Sequence, residues 1–251
     1  MIIVKTADEV ERMRASGQVA ARVRDALVRA VVPGVSTMDL DNLARDLIAK
    51  AGGRSAFLGY RGFPGHICTS VNEVVVHGIP GPQRVKLGDL ISIDVGVVYD
   101  GFVGDTAATV MVGVTDAEVI RLVKVAEQAL ADGIAKAMPG GRLSDVSHAI
   151  EQTTVKAGFS VVRDFVGHGI GRSMHEDPQI PNYGPPGRGP KLRPGMTLAI
   201  EPMLNQGAAE VDVMGDGWTV RTRDGRPSVH VEHTVAVLES GPEILTCTTK
   251  S

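Results

Sequence analysis

Two histidines in the segment GHGIGRSMHEDP, residues 167–178, are the first side chains of the sequence that suggest chemistry. His168 and His175 stand among glycines, so few neighbouring side chains can cover them. They are candidates for two ligands of one metal ion, for an acid–base pair, or for ordinary loop histidines. The choice depends on which carboxylates the rest of the chain brings to them.

One pair of carboxylates belongs to a predicted β-hairpin. In LISIDVGVVYDGFVGDTAATV, apolar and polar residues alternate as in a strand, and Asp100-Gly101 predicts a two-residue type I′ turn. This turn pairs Gly96 with Asp105 and Asp94 with Ala107. The two aspartates then share a face, with Cα atoms about 7–8 Å apart, from which both can reach a metal ion. A solvated strand face is the alternative.

A second pair of carboxylates lies about 110 residues further along the chain. Glu201 follows the apolar run MTLAI, where a charge is costly without a partner or a metal. Glu232 lies in SVHVEHTVAVL, a predicted strand with valines on one face and His230, Glu232 and Thr234 on the other. Four carboxylates and a loop histidine form a hard, oxygen-rich set. Roughly two divalent cations would balance it, and such a pair activates water and polarises a carbonyl.

Composition limits the class of protein. The chain has 251 residues, 43% hydrophobic and 22% charged, which suits one large globular domain or two small ones. Cys68 and Cys247 are too few for a disulfide framework and favour a reducing compartment. No apolar run approaches the roughly 18 residues of a membrane span. A net charge of −3 with scattered basic residues argues against nucleic acid as the main partner, so a soluble cytoplasmic protein is expected.

An internal repeat organises the helices. Three features recur at offsets of 106 to 109 residues: a T-x-x-E capping box that opens a helix, a Pro-Gly pair that follows it, and a second helix that ends in the tripeptide KAG. The boxes are Thr6–Glu9 and Thr115–Glu118, the pairs Pro33-Gly34 and Pro139-Gly140, and the tripeptides Lys50–Gly52 and Lys156–Gly158.

The repeat continues into the strands. VKLGDLISIDVGVV resembles PKLRPGMTLAIEPML at an offset of 107, which aligns Asp94 with Glu201. The pattern predicts two fused, pseudo-symmetric α+β halves, at about 5–113 and 114–245. Ligand clefts favour the boundary between such halves, so the acidic residues should gather there.

Six motifs now resemble those of the methionine aminopeptidases: GHGIG, HEDP, IDVG, GDTA, AIEPM and VEHT. VNEVVVHGIP and SAFLGYRGFP extend the resemblance to about residues 5–245. It is to the type I, bacterial-style enzymes, because type II members carry a large insertion in the second half. The resemblance implies the α+β pita-bread fold, in which helices cover a curved antiparallel sheet, as a single catalytic domain over residues 1–251.

The resemblance also implies the metal ligands. Asp105 and Glu232 would bridge two divalent ions, Asp94 would complete one site, and His168 with Glu201 would complete the other. A metal-bridging hydroxide would attack the scissile carbonyl, with Glu201 as the favoured proton shuttle. The metal could be cobalt, manganese, iron, nickel or zinc, because availability decides more than affinity at such sites.

Substrate-contacting residues follow from the same resemblance. His175 would donate a hydrogen bond to the carbonyl oxygen or the tetrahedral intermediate. His77 would contact the scissile amide or the residue after methionine. Aromatic rings and a sulfur suit a thioether side chain, and the implied methionine pocket is lined by Phe57, Tyr60, Phe63, Cys68 and Trp218.

Four positions depart from the family pattern. Phe57 stands where relatives often have cysteine, Phe63 replaces a frequent tyrosine, Met174 replaces a common phenylalanine, and Gly96 stands where many relatives have threonine. These departures affect the detailed shape of the pocket. The remaining histidines are expected only to pack or to be solvated, with His148 exposed on a helix: His66, His148, His230 and His233.

The implied function is metal-dependent removal of the N-terminal methionine from peptides and nascent proteins with a small second residue. The enzyme would be a cytoplasmic monomer that contacts the ribosome at most transiently. One alternative is an Xaa-Pro-type peptidase of the same fold, although such relatives generally carry an additional N-terminal domain. The other is a non-catalytic pita-bread binding protein, although such members lose metal ligands and all five are present here.

Overall fold

The computed structural model describes residues 1–248. Within them, four α-helices form two pairs along the chain, as the repeat predicts. None of these helices has the length and apolar content needed to cross a bilayer. The helices are α1 (Ala7–Ala30), α2 (Thr37–Lys50), α3 (Ala117–Ala135) and α4 (Leu143–Lys156), with a short 3-10 turn at Tyr60–Gly62.

The predicted helix starts are confirmed at α1 and wrong by one residue at α3. The Thr6 hydroxyl accepts from the Glu9 amide at 3.3 Å, and Glu9 Oε2 accepts from the Thr6 amide at 3.0 Å, which is a complete capping box. At α3 the cap is Asp116 rather than Thr115. The Asp116 carboxylate reaches the amides of both Glu118 and Val119, so it caps two donors where a threonine hydroxyl would cap one.

The second helix of each pair ends as the repeat predicts. α2 ends at Lys50 and α4 at Lys156, and each is followed by a glycine with positive φ, Gly52 at 76° and Gly158 at 80°. This left-handed conformation costs glycine nothing and stops a helix. The recurring tripeptide is therefore a repeated stop signal.

Fifteen strands occur in the described residues, and all their pairings are antiparallel. They are β1 (Arg54–Ser55), β2 (Cys68–Val71), β3 (Val74–Val76), β4 (Leu90–Tyr99), β5 (Phe102–Met111), β6 (Ser160–Val161), β7 (Gly167–Gly169), β8 (Glu176–Ile180), β9 (Thr197–Ile200), β10 (Met203–Asn205), β11 (Val211–Val213), β12 (Val220–Thr222), β13 (Ser228–His230), β14 (Glu232–Leu238) and β15 (Gly241–Ile244).

A nine-stranded sheet holds the centre of the molecule. Its order is β1-β4-β5-β14-β9-β7-β8, with β2 added on β4 and β15 on β14. Two three-stranded sheets, β13-β10-β6 and β11-β12-β3, lie beside it. The β5–β14 pairing joins strands of the first predicted half to strands of the second, in the middle of the large sheet.

The register of the β4–β5 hairpin confirms the prediction. Gly96 pairs with Asp105 and Asp94 with Ala107. The turn residues Asp100-Gly101 both have positive φ, 48° and 76°, as a type I′ turn requires. Local turn chemistry therefore fixes which face the two aspartates share.

The predicted strand around Glu232 is wrong in one respect, because it is two strands. The strand is interrupted at Val231, whose amide donates a hydrogen bond to the Pro202 carbonyl at 3.3 Å. Residues before the break pair with β10 in a small sheet, and those after it enter the large sheet. The face assignment survives the break, because the alternating valines belong to one apolar core: Val229, Val231, Val235 and Val237.

Each helix pair covers its own half of the sheet. One apolar cluster packs α1 and α2 against β4 residues such as Ile91 and Ile93. A second cluster packs α3 and α4 against β9 and β14. A third lies between them and includes aromatic and sulfur side chains. The architecture is the predicted α+β fold, while its description as a single domain with halves at about 5–113 and 114–245 stays a prediction.

Candidate active site

A cavity of about 340 Å³ is lined by residues from both predicted halves of the chain. All twelve side chains that the sequence nominated line it, although the role of each stays a prediction. They are Phe57, Tyr60, Phe63, Cys68, His77, Asp94, Asp105, His168, His175, Glu201, Trp218 and Glu232.

The five candidate metal ligands come from adjacent strands of the large sheet. Asp94 and Asp105 lie on β4 and β5, Glu232 begins β14, Glu201 follows β9, and His168 is central in β7. These strands are consecutive in the sheet order β4-β5-β14-β9-β7. One ligand atom each from Asp105, His168 and Glu232 lies within 4.8 Å of the other two.

His168 presents a defined nitrogen to the carboxylates. Its Nδ1 lies 2.8 Å from the carbonyl oxygen of Gly169, so Nδ1 carries the proton and donates it. Nε2 is then the lone-pair nitrogen, 3.6 Å from Glu201 Oε1 and 3.8 Å from Asp105 Oδ2. A backbone carbonyl that fixes the tautomer in this way is typical of a metal-ligating histidine.

Three of the carboxylates each have one buried oxygen that no group in the described part of the chain bonds. Among residues 1–248, Asp94 Oδ1, Asp105 Oδ1 and Glu232 Oε1 have no hydrogen-bond partner. Burial raises the pKa of Asp94 to about 7. Burial and then the mutual repulsion of the carboxylates raise the pKa of Asp105 and of Glu232 well above the usual values. Buried carboxylate oxygens without protein partners call for cations, so the donor set fits divalent metal.

Glu201 has a different environment, because imidazoles face it. Burial acts to raise its pKa, but the neighbouring histidines, His230 foremost, together outweigh burial and lower it. His230 Nε2 lies 3.5 Å from Glu201 Oε2, and His168 Nε2 faces Glu201 Oε1. Glu201 is therefore ionised at neutral pH and can accept a proton.

His230 is the residue at this site that sequence reasoning missed. The sequence suggested only packing or solvation, yet its buried Nε2 lies between Glu201 and Glu232, 4.0 Å from the latter. The one available signal was its position two residues before Glu232 on the same strand face. Its contact with Glu201 depends on the non-local pairing of His230 with Met203 in β10–β13, which no local pattern shows.

His175 projects toward the ligand cluster and is held by Tyr60. Its Nδ1 lies 2.8 Å from the Tyr60 hydroxyl, the two rings stack at 5.3 Å, and its ring centroid is 4.2 Å from that of His168. Burial is the largest cause that lowers the pKa of His175, to about 4, so it is neutral at pH 7. When the Tyr60 hydroxyl donates to Nδ1, the ring proton stays on Nε2, where it can be donated to a substrate.

His77 adopts a strained backbone conformation at the cavity wall. Its φ is 60°, which costs a non-glycine residue about 1–3 kcal/mol and is common at functional sites. Its ring meets Phe165 and Trp218 edge-on, at 5.6 and 6.2 Å. Burial lowers its pKa, so it too is a neutral imidazole at pH 7.

Aromatic rings and sulfur atoms form one end of the cavity. Phe57 meets Phe63 edge-on at 6.4 Å, and Phe63 meets Trp218 at 5.2 Å. Cys68 lies opposite Asp94 in the β2–β4 pairing, and Met174 contributes to the same apolar cluster. This lining suits an unbranched thioether side chain.

Phe57 and Gly96, two of the departures from the family pattern, compete for the same space. A Cβ atom on Gly96 would lie 2.5 Å from Phe57 Cε1 and 2.9 Å from Cζ, so the phenyl ring occupies the space of any side chain at position 96. Because Phe57 is buried in the cavity wall, it cannot swing into solvent.

We expect Gly96→Thr alone to lower the free energy of unfolding by about 1–3 kcal/mol, since it overpacks this wall. Adding Phe57→Cys should restore most of that loss, with a coupling energy of about 0.5–3 kcal/mol. Urea unfolding of the two single variants and the double variant measures the coupling. Strictly additive effects would show that the two positions do not compete for the same space.

The other three histidines, like His230, lie outside the lining of the cavity, and these three bond to groups away from the candidate ligands. His66 Nδ1 pairs with Asp41 at 2.9 Å, and His233 Nδ1 bonds to the Thr246 hydroxyl at 2.8 Å. His148 is on α4 as predicted, but it is half-buried rather than exposed, because its Nδ1 meets the Gly184 carbonyl at 3.1 Å.

Comparison with known proteins places this geometry in a family. The profile of metallopeptidase family M24 matches residues 11–239. The methionine aminopeptidase of Clostridium acetobutylicum is 50% identical over 247 residues, which cover 98% of this chain and 99% of that protein. A crystal structure of methionine aminopeptidase from Rickettsia prowazekii superposes with a TM-score of 0.97 at 42% identity, covering 98% of this chain and all of that one.

A more distant likeness concerns the fold alone. Prolidase from Pyrococcus furiosus superposes with a TM-score of 0.81 at 22% identity, and the match covers 99% of this chain but 66% of the prolidase. The pita-bread architecture is thus shared with prolidase. The methionine aminopeptidases, in contrast, match this chain over nearly the full length of both proteins. The protein belongs to metallopeptidase family M24 and, within it, to the methionine aminopeptidases.

Proposed function

We propose that this enzyme uses divalent metal to hydrolyse the peptide bond after an N-terminal methionine, in peptides and nascent proteins with a small second residue. The observation that carries the proposal is that, within the described residues, three carboxylates, each with a buried and unpartnered oxygen, lie in the same cavity as a cluster of aromatic rings and sulfur atoms. The names of the close relatives support the same activity.

The donor set suits two cations. Asp105 and Glu232 lie between the other ligands and would be shared by both ions, with Asp94 on one side and His168 with Glu201 on the other. Carboxylate oxygens with one imidazole accept manganese, iron, cobalt, nickel or zinc. When bound, such ions polarise a carbonyl and lower the pKa of water toward neutrality.

The protein's own groups then divide the remaining work. The aromatic and sulfur lining would hold the methionine side chain. His175 Nε2 would donate to the scissile carbonyl oxygen, whose negative charge grows in the transition state. Ionised Glu201 would take a proton from the attacking water and pass it to the leaving amine. His77 would contact the scissile amide from the opposite half of the molecule.

The size of the cavity limits what can follow methionine. At about 340 Å³ it lies near the lower end of the usual 300–1,000 Å³ for ligand pockets. A methionine residue would take up about half of it, and the space that remains favours a small second side chain. We further propose a cytoplasmic monomer that meets nascent chains at the ribosome transiently.

Peptide hydrolysis tests the proposal against its alternatives. With manganese or cobalt supplied, the kcat/KM for Met-Ala-Ser should exceed those for Leu-Ala-Ser and Met-Leu-Ser by about 10-fold to 200-fold. This is the range that differences in side-chain fit provide. Cleavage of an Xaa-Pro peptide alone would favour the prolidase-type alternative. Hydrolysis of no peptide, with metal bound, would favour the non-catalytic binding protein.

A further inference from the structure

A buried ion pair ties the segment before α1 to the loop that carries His175. Lys5 Nζ lies 2.6 Å from Glu176 Oε2, and the two side chains are only 3% and 5% exposed. Both residues lie outside the lining of the cavity. The pair joins positions 171 residues apart in sequence.

Both partners are held closely by their surroundings. The second carboxylate oxygen of Glu176 accepts from the Ser173 amide at 3.3 Å, inside the same loop. A Cβ atom on Gly171 would lie 2.5 Å from Glu176 Oε1 and 2.6 Å from Lys5 Cε. Only a glycine at position 171 leaves room for the pair.

The backbone on each side of the pair is also anchored. The Lys5 amide donates to the Gly195 carbonyl at 2.7 Å, at the turn that precedes β9. The loop itself is closed by a bond from the Gly171 amide to the Ser173 carbonyl at 3.1 Å and is bound to β5 through the Val103 amide. Lys5 therefore connects a fixed turn to a fixed loop.

The pair lies directly beside a residue that lines the cavity. Glu176 is the first residue of β8 and directly follows His175. Glu176 faces Lys5 beneath the loop, while His175 lines the cavity and bonds to Tyr60. Moving the Glu176 anchor would therefore move the imidazole on the other side of the same backbone.

A buried ion pair of this kind needs a reason other than stability. The desolvation of two charges roughly cancels their attraction, and replacement by apolar residues is often neutral for folding. What such a pair offers is one defined geometry, and a reacting group needs its position fixed within about 0.5 Å.

We propose that Lys5 is a positioning residue for His175, acting through the ion pair with Glu176. This inference rests on the proposed function, in which His175 donates to the scissile carbonyl. Lys5 touches neither the substrate nor the candidate metal ligands in this arrangement. Its removal should therefore weaken the chemical step and leave metal and substrate binding in place.

The first measurement compares Lys5→Met with a matched control. Lys5→Met keeps the stem and removes the charge. Arg14→Met breaks another ion pair between distant elements, from α1 to Glu243 at 2.7 and 2.8 Å, away from the cavity. In metal-loaded enzyme well below both melting temperatures, Lys5→Met should lower kcat about 10-fold to 100-fold. KM and the Mn²⁺ affinity from calorimetry should stay within about threefold. Arg14→Met should change kcat less than about twofold.

The second measurement is a double-mutant cycle with His175→Ala. If Lys5 acts through His175, Lys5→Met should lower kcat little or not at all once the imidazole is gone. An equal loss in both backgrounds would overturn the proposal, as would an unchanged kcat in folded Lys5→Met. A merely structural role would give the equal loss.

If Lys5→Met does not fold, a second variant, Glu176→Gln, tests the same ion pair. Glu176→Gln keeps the shape and an acceptor for the ammonium, and the same cycle with His175→Ala applies to it. If His175→Ala alone leaves kcat unchanged, the proposed role of His175 fails, and this inference fails with it. If His175→Ala is slow and the cycle is additive, only the role of Lys5 fails.

Discussion

Replacing Asp105 with asparagine should lower kcat/KM by about three orders of magnitude. A metal ion contributes several kcal/mol of transition-state stabilisation, and each 1.36 kcal/mol is tenfold in rate. Asp105 is the proposed shared ligand, and its carboxylate lies in the cluster with His168 and Glu232. Peptide hydrolysis and metal content after dialysis against Mn²⁺ measure the two consequences together.

The same substitution should raise the stability of the metal-free protein, although it lowers activity. Burial and its neighbours raise the pKa of Asp105 in the folded state, whereas in the unfolded chain the pKa is about 3.9. Folding therefore becomes less favourable as pH rises above about 4, until the folded-state pKa is reached. Asparagine removes that penalty, and its amide can donate to the carboxylates beside it.

Melting curves with a chelator at pH 5 and pH 8 test this sign. The melting temperature of metal-free Asp105→Asn should exceed that of the wild type, by more at pH 8 than at pH 5. With Mn²⁺ added, the order should reverse, since only the wild type gains from binding. Asp212→Asn, at a half-exposed strand aspartate paired with Arg223, is the matched control and should show neither effect. Retained metal and activity in Asp105→Asn would refute the ligand assignment.

The part of this site that local sequence determines was predictable. Asp94 and Asp105 are placed by one hairpin, whose turn residues fix both register and face. The helix pairs follow from caps and stop signals that repeat along the chain. The break at Val231 was not predictable in this way, because it depends on a bond to Pro202 in another part of the sheet.

Interactions between distant segments account for what the sequence did not show. His230 reaches Glu201 only because β13 pairs with β10. Lys5 and Glu176 are 171 residues apart in sequence, and no periodic pattern relates them. The close approach of Phe57 to Gly96 likewise needs the three-dimensional position of a loop. In each case the residue types were visible, but their partners were set by tertiary packing.

Replacing His175 with alanine should lower kcat about 10²-fold to 10³-fold, the usual cost of removing one donor to a developing oxyanion. KM should change little, because the methionine pocket and the candidate metal ligands are untouched. His148→Ala is the matched control, since that histidine also bonds through Nδ1 but lies on α4, outside the lining of the cavity.

Tyr60→Phe tests whether His175 acts as a hydrogen-bond donor or only fills space beside the substrate. Without the hydroxyl, the imidazole keeps its stacking partner but loses the bond to Nδ1 that retains the proton on Nε2. We expect kcat to fall about 10-fold to 100-fold, as when the partner that orients a functional imidazole is lost. In the His175→Ala background the same substitution should have almost no further effect on kcat. A loss confined to KM in either single variant would assign His175 to substrate binding, because a donor that acts only in the transition state must appear in kcat.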